Sequence, residues 1–160
     1  MDALEIRRIR VRSGRLDAEV AVALSALHVD VRVAGRICAL LPNLPNHLCV
    51  NNEKGPRLAD ELCGTELAHL LEHVVIELQG QAYAGMNPRP QLYGHTSWLE
   101  ELADTSARGI AVMRVTVTFQ DDLVALQALT QAALLVNWAC GESLQAPDMQ
   151  AVIARIRSTM

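Results

Sequence analysis

Residues 67–79 constrain the fold most tightly. Within "LAHLLEHVVIELQ", Leu67, Leu70, Leu71, Val74, Val75 and Leu78 recur at three- and four-residue spacing, the pattern of an α-helix with one face in a core. Advancing about 100° per residue places these six side chains in one broad apolar arc. Glu66, His69, Glu72, His73 and Glu77 fall on the opposite side, and Ile76 lies among them, between His69 and Glu72. A β-branched apolar residue in the middle of a polar face indicates that this face is itself partly covered, as along a cleft.

The segments around this helix predict its packing partners. "RRIRVR" alternates, with Ile9 and Val11 on one face, and reads as a first strand. "EVAVALS" sets Val20, Val22 and Leu24 against alanines and reads as a second. "GRICALLPNLP" predicts a short helix ended by Pro42 and Pro45. The long helix is expected within residues 57–85, with Gly64 as an interruption and Gly85 as a stop. "QLYGHT" predicts a short strand, and "IAVMRVTVTF" a longer one with Val115, Val117 and Phe119 alternating against threonines. Asp121 caps a helix that runs to Gly141, and Pro147 sits near the first turn of a last helix. This order implies one α+β domain over residues 1–160. It is a small, mainly antiparallel sheet with helices packed largely on one face, one long helix carrying the His-x-x-Glu-His-x-x-x-Glu pattern.

Composition removes several function classes. The net charge is -4, and Arg7, Arg8, Arg10, Arg12 and Arg15 are spread along a strand rather than gathered in a patch, which argues against nucleic acid. Two Trp, two Tyr and one Phe give little for stacking bases. No apolar run approaches the roughly 18 residues of a membrane span, and the charged N-terminus lacks the apolar stretch of a secretion signal, so a cytoplasmic protein is expected. Cys38, Cys49, Cys63 and Cys140 show no CxxC spacing and read as reduced, small core residues.

The polar face of the long helix carries the chemistry. His69 and His73 stand at i and i+4, adjacent on one face, and can share a metal ion through their imidazoles. Glu72 beside them is placed to take a proton from a water on that metal, acting as general base. His-x-x-Glu-His is the inverted order of the zincin motif. Glu77 is the leading third ligand, or else a partner that holds His73, because its backbone lies about 12 Å along the axis from His69 at about 1.5 Å per residue. His47 and His95, with Glu100 and Glu101, are the candidates from other elements for substrate contact or an alternative ligand.

"LLPNLPNHLC", "GTELAHLLEHVVIELQGQAYAGM" and "LYGHT" together resemble the N-terminal domain of cyanophycin synthetases. That domain shows a Leu-Leu-Pro-x-Leu-x-x-His-x-Cys turn, a Gly-Thr-x-Leu-x-His-x-x-Glu-His-x-x-x-Glu-Leu-Gln helix and a Phe-Gly-Arg-Thr segment. The helical motif matches at Gly64, Thr65, His69, Glu72, His73, Glu77 and Gln79, and the resemblance extends over nearly the whole chain. In the family, the domain precedes two ligase domains that build an aspartate backbone bearing arginine. It is associated with binding that polymer and, in some members, with a metallopeptidase-like site that cuts it. The 160 residues leave no room for either ligase. The resemblance therefore implies a zinc-dependent hydrolase of peptide or isopeptide bonds in cyanophycin or a related polymer. The alternative is a non-catalytic module binding the polymer or a separately encoded ligase. A homo-oligomer covering the polar helix face is a further expectation. Two segments depart from the family. The arginine of Phe-Gly-Arg-Thr is His95 here, and "VNNEKGPRL" replaces a glycine-rich stretch, while "SWLEELADTSA" is longer than the usual connector.

Overall fold

The computed structural model describes residues 2–49, 54–99 and 108–160; Glu100 and Glu101 lie outside them. Four strands form one antiparallel sheet: β1 (Leu4–Arg12), β2 (Arg15–Ala23), β3 (Gly94–Trp98) and β4 (Ile110–Thr118), in the order β1-β2-β4-β3. Among the described residues, four α-helices accompany it: α1 (Val31–Leu40), α2 (Leu67–Ala82), α3 (Asp122–Cys140) and α4 (Met149–Arg157).

The alternation in the sequence sets which face of the sheet is covered. Leu16, Ala18, Val20 and Val22 of β2 and Ala111, Met113, Val115 and Val117 of β4 point to the same side and are buried in the core with α2 and α3. On β1 the apolar residues change from even to odd positions, Leu4 and Ile6, then Ile9 and Val11. An irregularity between Ile6 and Arg8 takes up the change, so that Ile6 pairs with Val20 and Ile9 with Ala18, and all four stay on the helix side. Gly14, at φ 70°, closes the tight β1–β2 connection.

Each helix start has a physical cause. Asp30, Asp121 and Asp148 accept hydrogen bonds from the otherwise unpaired first-turn N–H groups of α1, α3 and α4. At the other end of α3, Arg32 donates to the carbonyls of Cys140 and Gly141, and Arg36 lies 3.9 Å over the Trp138 ring, which ties α1 to the C-terminus of α3. By length and composition α3 would suffice to cross a membrane, but half of that stretch is buried inside the fold.

The long helix is shorter than the sequence pattern predicts. It starts at Leu67, because Gly64 adopts φ 101° and donates its N–H to Val29 O, while Leu67 N bonds Leu27 O. Upstream, residues 58–63 form a 3-10 helix (Leu58–Asp60) followed by turns instead of α-helix. An L-residue is disfavoured at that φ, so Gly64→Ala is expected to destabilise the fold by about 1–2 kcal/mol, read from the midpoint of urea unfolding. The predicted strand "QLYGHT" is present but displaced towards the C-terminus, starting at Gly94. The predicted first helix starts earlier, at Val31, and stops before Pro42.

Candidate metal centre

Helix α2 is buried almost all round. Beyond its apolar arc, Glu72, His73, Glu77 and Gln79 are all under a tenth exposed. Charged and polar groups at that depth require partners. Gln79 donates to the Thr118 carbonyl of β4, and two segments distant in sequence provide partners for Glu72, His73 and Glu77: the turn that follows the 3-10 helix Leu44–Asn46, and strand β3. Between them lies a cleft of about 690 Å³, lined by Cys49, His69, Glu72, His73, Ile76 and His95 among others. Ile76, the apolar residue on the polar arc, thus forms part of its wall.

The segment His47–Cys49 is extended, held by the pairing of Leu48 with Arg57. Alternation along it turns His47 and Cys49 towards α2 and leaves Leu48 three-quarters exposed. Cys49 Sγ lies 3.4 Å from His69 Nε2 and 3.7 Å from His73 Nε2, and the two Nε2 atoms are 3.1 Å apart. Among the described residues these three donors form a group able to hold a metal ion.

The triangle can be compared with what an ion would require. Tetrahedral zinc with bonds of about 2.0–2.1 Å to nitrogen and about 2.3 Å to sulfur holds its nitrogens about 3.4 Å apart and sulfur about 3.6 Å from each. The three observed separations are within a few tenths of an ångström of those values. The electrostatics agree as well. Burial, the hydrogen bond to Glu61 and the charges of Glu61 and Glu72 push the Cys49 thiol up to about 12, so without a cation it stays protonated and donates to Glu61 at 3.0 Å. The carboxylates that oppose a lone thiolate are the ones a dication would offset. His73 is held neutral, as a ligand must be: burial, then His69 and His47, push it down to about 3. The residues fit a zinc-type ion.

Glu72 occupies the edge of this group. Its Oε1 is 4.0 Å from His73 Nε2, and its Oε2 accepts a hydrogen bond from Thr96 at 2.6 Å. Burial raises its pKa, and this outweighs the lowering by the Thr96 hydrogen bond and by His69 and His95. Gly94 makes room for it, since a Cβ there would come within 2.5 Å of Glu72 Oε1.

Of the residues singled out by sequence, His69, His73 and Glu72 lie together, and His95 is exposed at the rim of the cleft. Glu77 faces away from the Cys49–His69–His73 triangle: its Oε2 is 2.6 Å from His47 Nε2, and its Oε1 accepts from Gln81 at 3.1 Å. His47 in turn stands 3.1 Å from His73, ring nitrogen to ring nitrogen. The donor that completes the triangle is Cys49, which the sequence reading assigns to the core. The signal available for it was the His-x-Cys alternation of "PNHLC", which sends both side chains to one side of an extended segment.

The sequence pattern of the cyanophycin synthase-like N-terminal domain matches residues 29–140, a span that holds every residue of this site. No curated protein compared with the chain matches it. With that span covering well over half of the 160 residues, the chain belongs to the family of cyanophycin synthase-like N-terminal domains.

Proposed function

We propose that the cleft is the active site of a zinc-dependent hydrolase of peptide or isopeptide bonds, with cyanophycin or a related arginine-bearing polymer as substrate. The observation that carries this reading is the position of the Glu72 carboxylate at the edge of a three-donor group, with one oxygen anchored and the other turned towards it. Zinc held by Cys49, His69 and His73 would supply Lewis acidity, lowering the pKa of water and polarising a carbonyl.

The chain's own groups do the rest. The raised pKa of Glu72 makes its carboxylate a better base for a water proton, and later a proton donor to the leaving amine. Thr96 fixes its orientation through Oε2, leaving Oε1 for the proton. Leu48, Ile76, Leu92 and Tyr93 offer apolar surface for a chain laid along the cleft. Glu61 and Glu66 also line it, and no Lys or Arg does among the described residues, which favours a substrate carrying positive side chains.

The test is zinc content after loading and dialysis, wild type beside His73→Ala, followed by hydrolysis of isoaspartyl-arginine peptides. About one zinc per chain, lost in the variant, with turnover in the wild type supports the reading; no retained zinc refutes it. Gly94→Ala is expected to displace Glu72 and lower kcat by about 10–100-fold with zinc retained, measured on the same peptides.

A second reading, a binding module without turnover, draws on His95, which stands exposed where the related domains carry arginine. Its signature is polymer or ligase binding that Glu72→Gln leaves unchanged.

A further inference from the structure

We infer that Glu77 and His47 form a relay that fixes which nitrogen of His73 carries hydrogen, so that Nε2 is held bare towards Cys49 and His69. The inference rests on the reading of those three residues as metal ligands, and it assigns Glu77 a role other than ligation.

The direction of the relay follows from hydrogen-bond arithmetic. Glu77 Oε1 accepts from Gln81 Nε2 at 3.1 Å, its Oε2 faces His47, and at pH 8 a carboxylate is ionised. An ionised carboxylate only accepts. His47 Nε2, 2.6 Å from Glu77 Oε2, must therefore carry a hydrogen. A neutral imidazole has one N–H, which leaves His47 Nδ1 as an acceptor. His73 Nδ1 is 3.1 Å from it, and two bare nitrogens would repel, so His73 Nδ1 carries the hydrogen. Only Nε2 of His73 then has a free lone pair, and that atom belongs to the three-donor group. Metal-ligating histidines commonly have their other nitrogen held by an outer partner in this way. A buried imidazole without such a partner divides its population between two tautomers, one of which cannot bind.

His69 provides the contrast. Its Nδ1 is 2.8 Å from Thr65 Oγ1, and a hydroxyl can donate or accept. Thr65 therefore accommodates either tautomer of His69. In the metal-free protein the 3.1 Å contact between the two Nε2 atoms is satisfied by His69 donating to His73. One histidine is fixed before metal arrives and the other adapts to it.

The experiment uses the full chain at pH 8, nitrogen-15 labelled at histidine, with two-bond proton–nitrogen correlation spectra that report the protonated nitrogen of each ring. In the metal-free protein His73 is expected as the Nδ1–H tautomer, unchanged on adding zinc, while His69 changes from Nε2–H to Nδ1–H. His47→Leu, which removes the acceptor, is expected to lose the single His73 tautomer and to weaken zinc binding by about 10–100-fold. His47→Gln can donate to Glu77 and accept from His73, and is expected to stay within a few-fold of wild type. It also separates the relay from a general packing loss. Nε2–H on His73 in the metal-free wild type, or wild-type zinc affinity in His47→Leu, overturns the relay. Absence of zinc binding in the wild type instead overturns the metal-site reading, and the metal-free spectrum still reports on the relay.

Discussion

Glu72→Gln is expected to lower turnover of isoaspartyl-arginine peptides by about 10²–10⁴-fold, the range lost when a positioned general base is removed. Glutamine has nearly the same shape, and its amide oxygen can still accept from Thr96, so the side chain stays where Gly94 leaves room for it. What disappears is the ability to take a proton. Zinc content and the unfolding midpoint should remain close to wild type, because Glu72 is absent from the three-donor group. Loss of kcat with KM little changed identifies a group acting in the transition state. Turnover at the wild-type rate would remove Glu72 from the mechanism and leave the binding-module reading in its place.

Cys49→Ala carries the second large effect, the loss of stoichiometric zinc. It removes the only anionic donor that the triangle can offer, along with one of its three corners. Glu77→Ala, by contrast, leaves the three donors in place and is expected to weaken zinc by about 10–100-fold, the cost of losing an outer partner. Titrating both variants against a zinc-binding dye decides between the two assignments. If Glu77→Ala abolishes binding and Cys49→Ala retains it, Glu77 is the third ligand, and the chain must rearrange around the ion to bring it there.

The contrast between these two residues shows how far the sequence could be read. His69, Glu72 and His73 share one helix, so their mutual geometry follows from 3.6 residues per turn, and the sequence pattern was sufficient. The same is true of the strand faces, where Val20, Val22, Val115 and Val117 alternate cleanly. Cys49 reaches the site across 20 residues from His69, through a turn whose path is set by tertiary contacts, such as the pairing of Leu48 with Arg57. No periodicity encodes that contact. Helix spacing leaves Glu77 open between ligand and outer partner, because it cannot reveal that His47 folds over and takes up the carboxylate. The interruption expected at Gly64 is a full break, so that α2 starts only at Leu67. Residues 57–66 have the composition of a helix, but the φ of 101° at Gly64 is a backbone property that a helical wheel does not register.

The pairing of an extended segment with a buried helix at the three-donor group has a further consequence, for the folding equilibrium. An ion bound by Cys49 together with His69 and His73 closes a loop of the chain, and the unfolded polypeptide offers no such arrangement. Occupancy and folding are then linked: free zinc at 100 times its dissociation constant would add about 2.7 kcal/mol to the native state. The melting temperature should rise with zinc concentration and fall back on chelation. The turn carrying Cys49 should gain the most protection from hydrogen exchange, and an ion bound there would act as a structural staple.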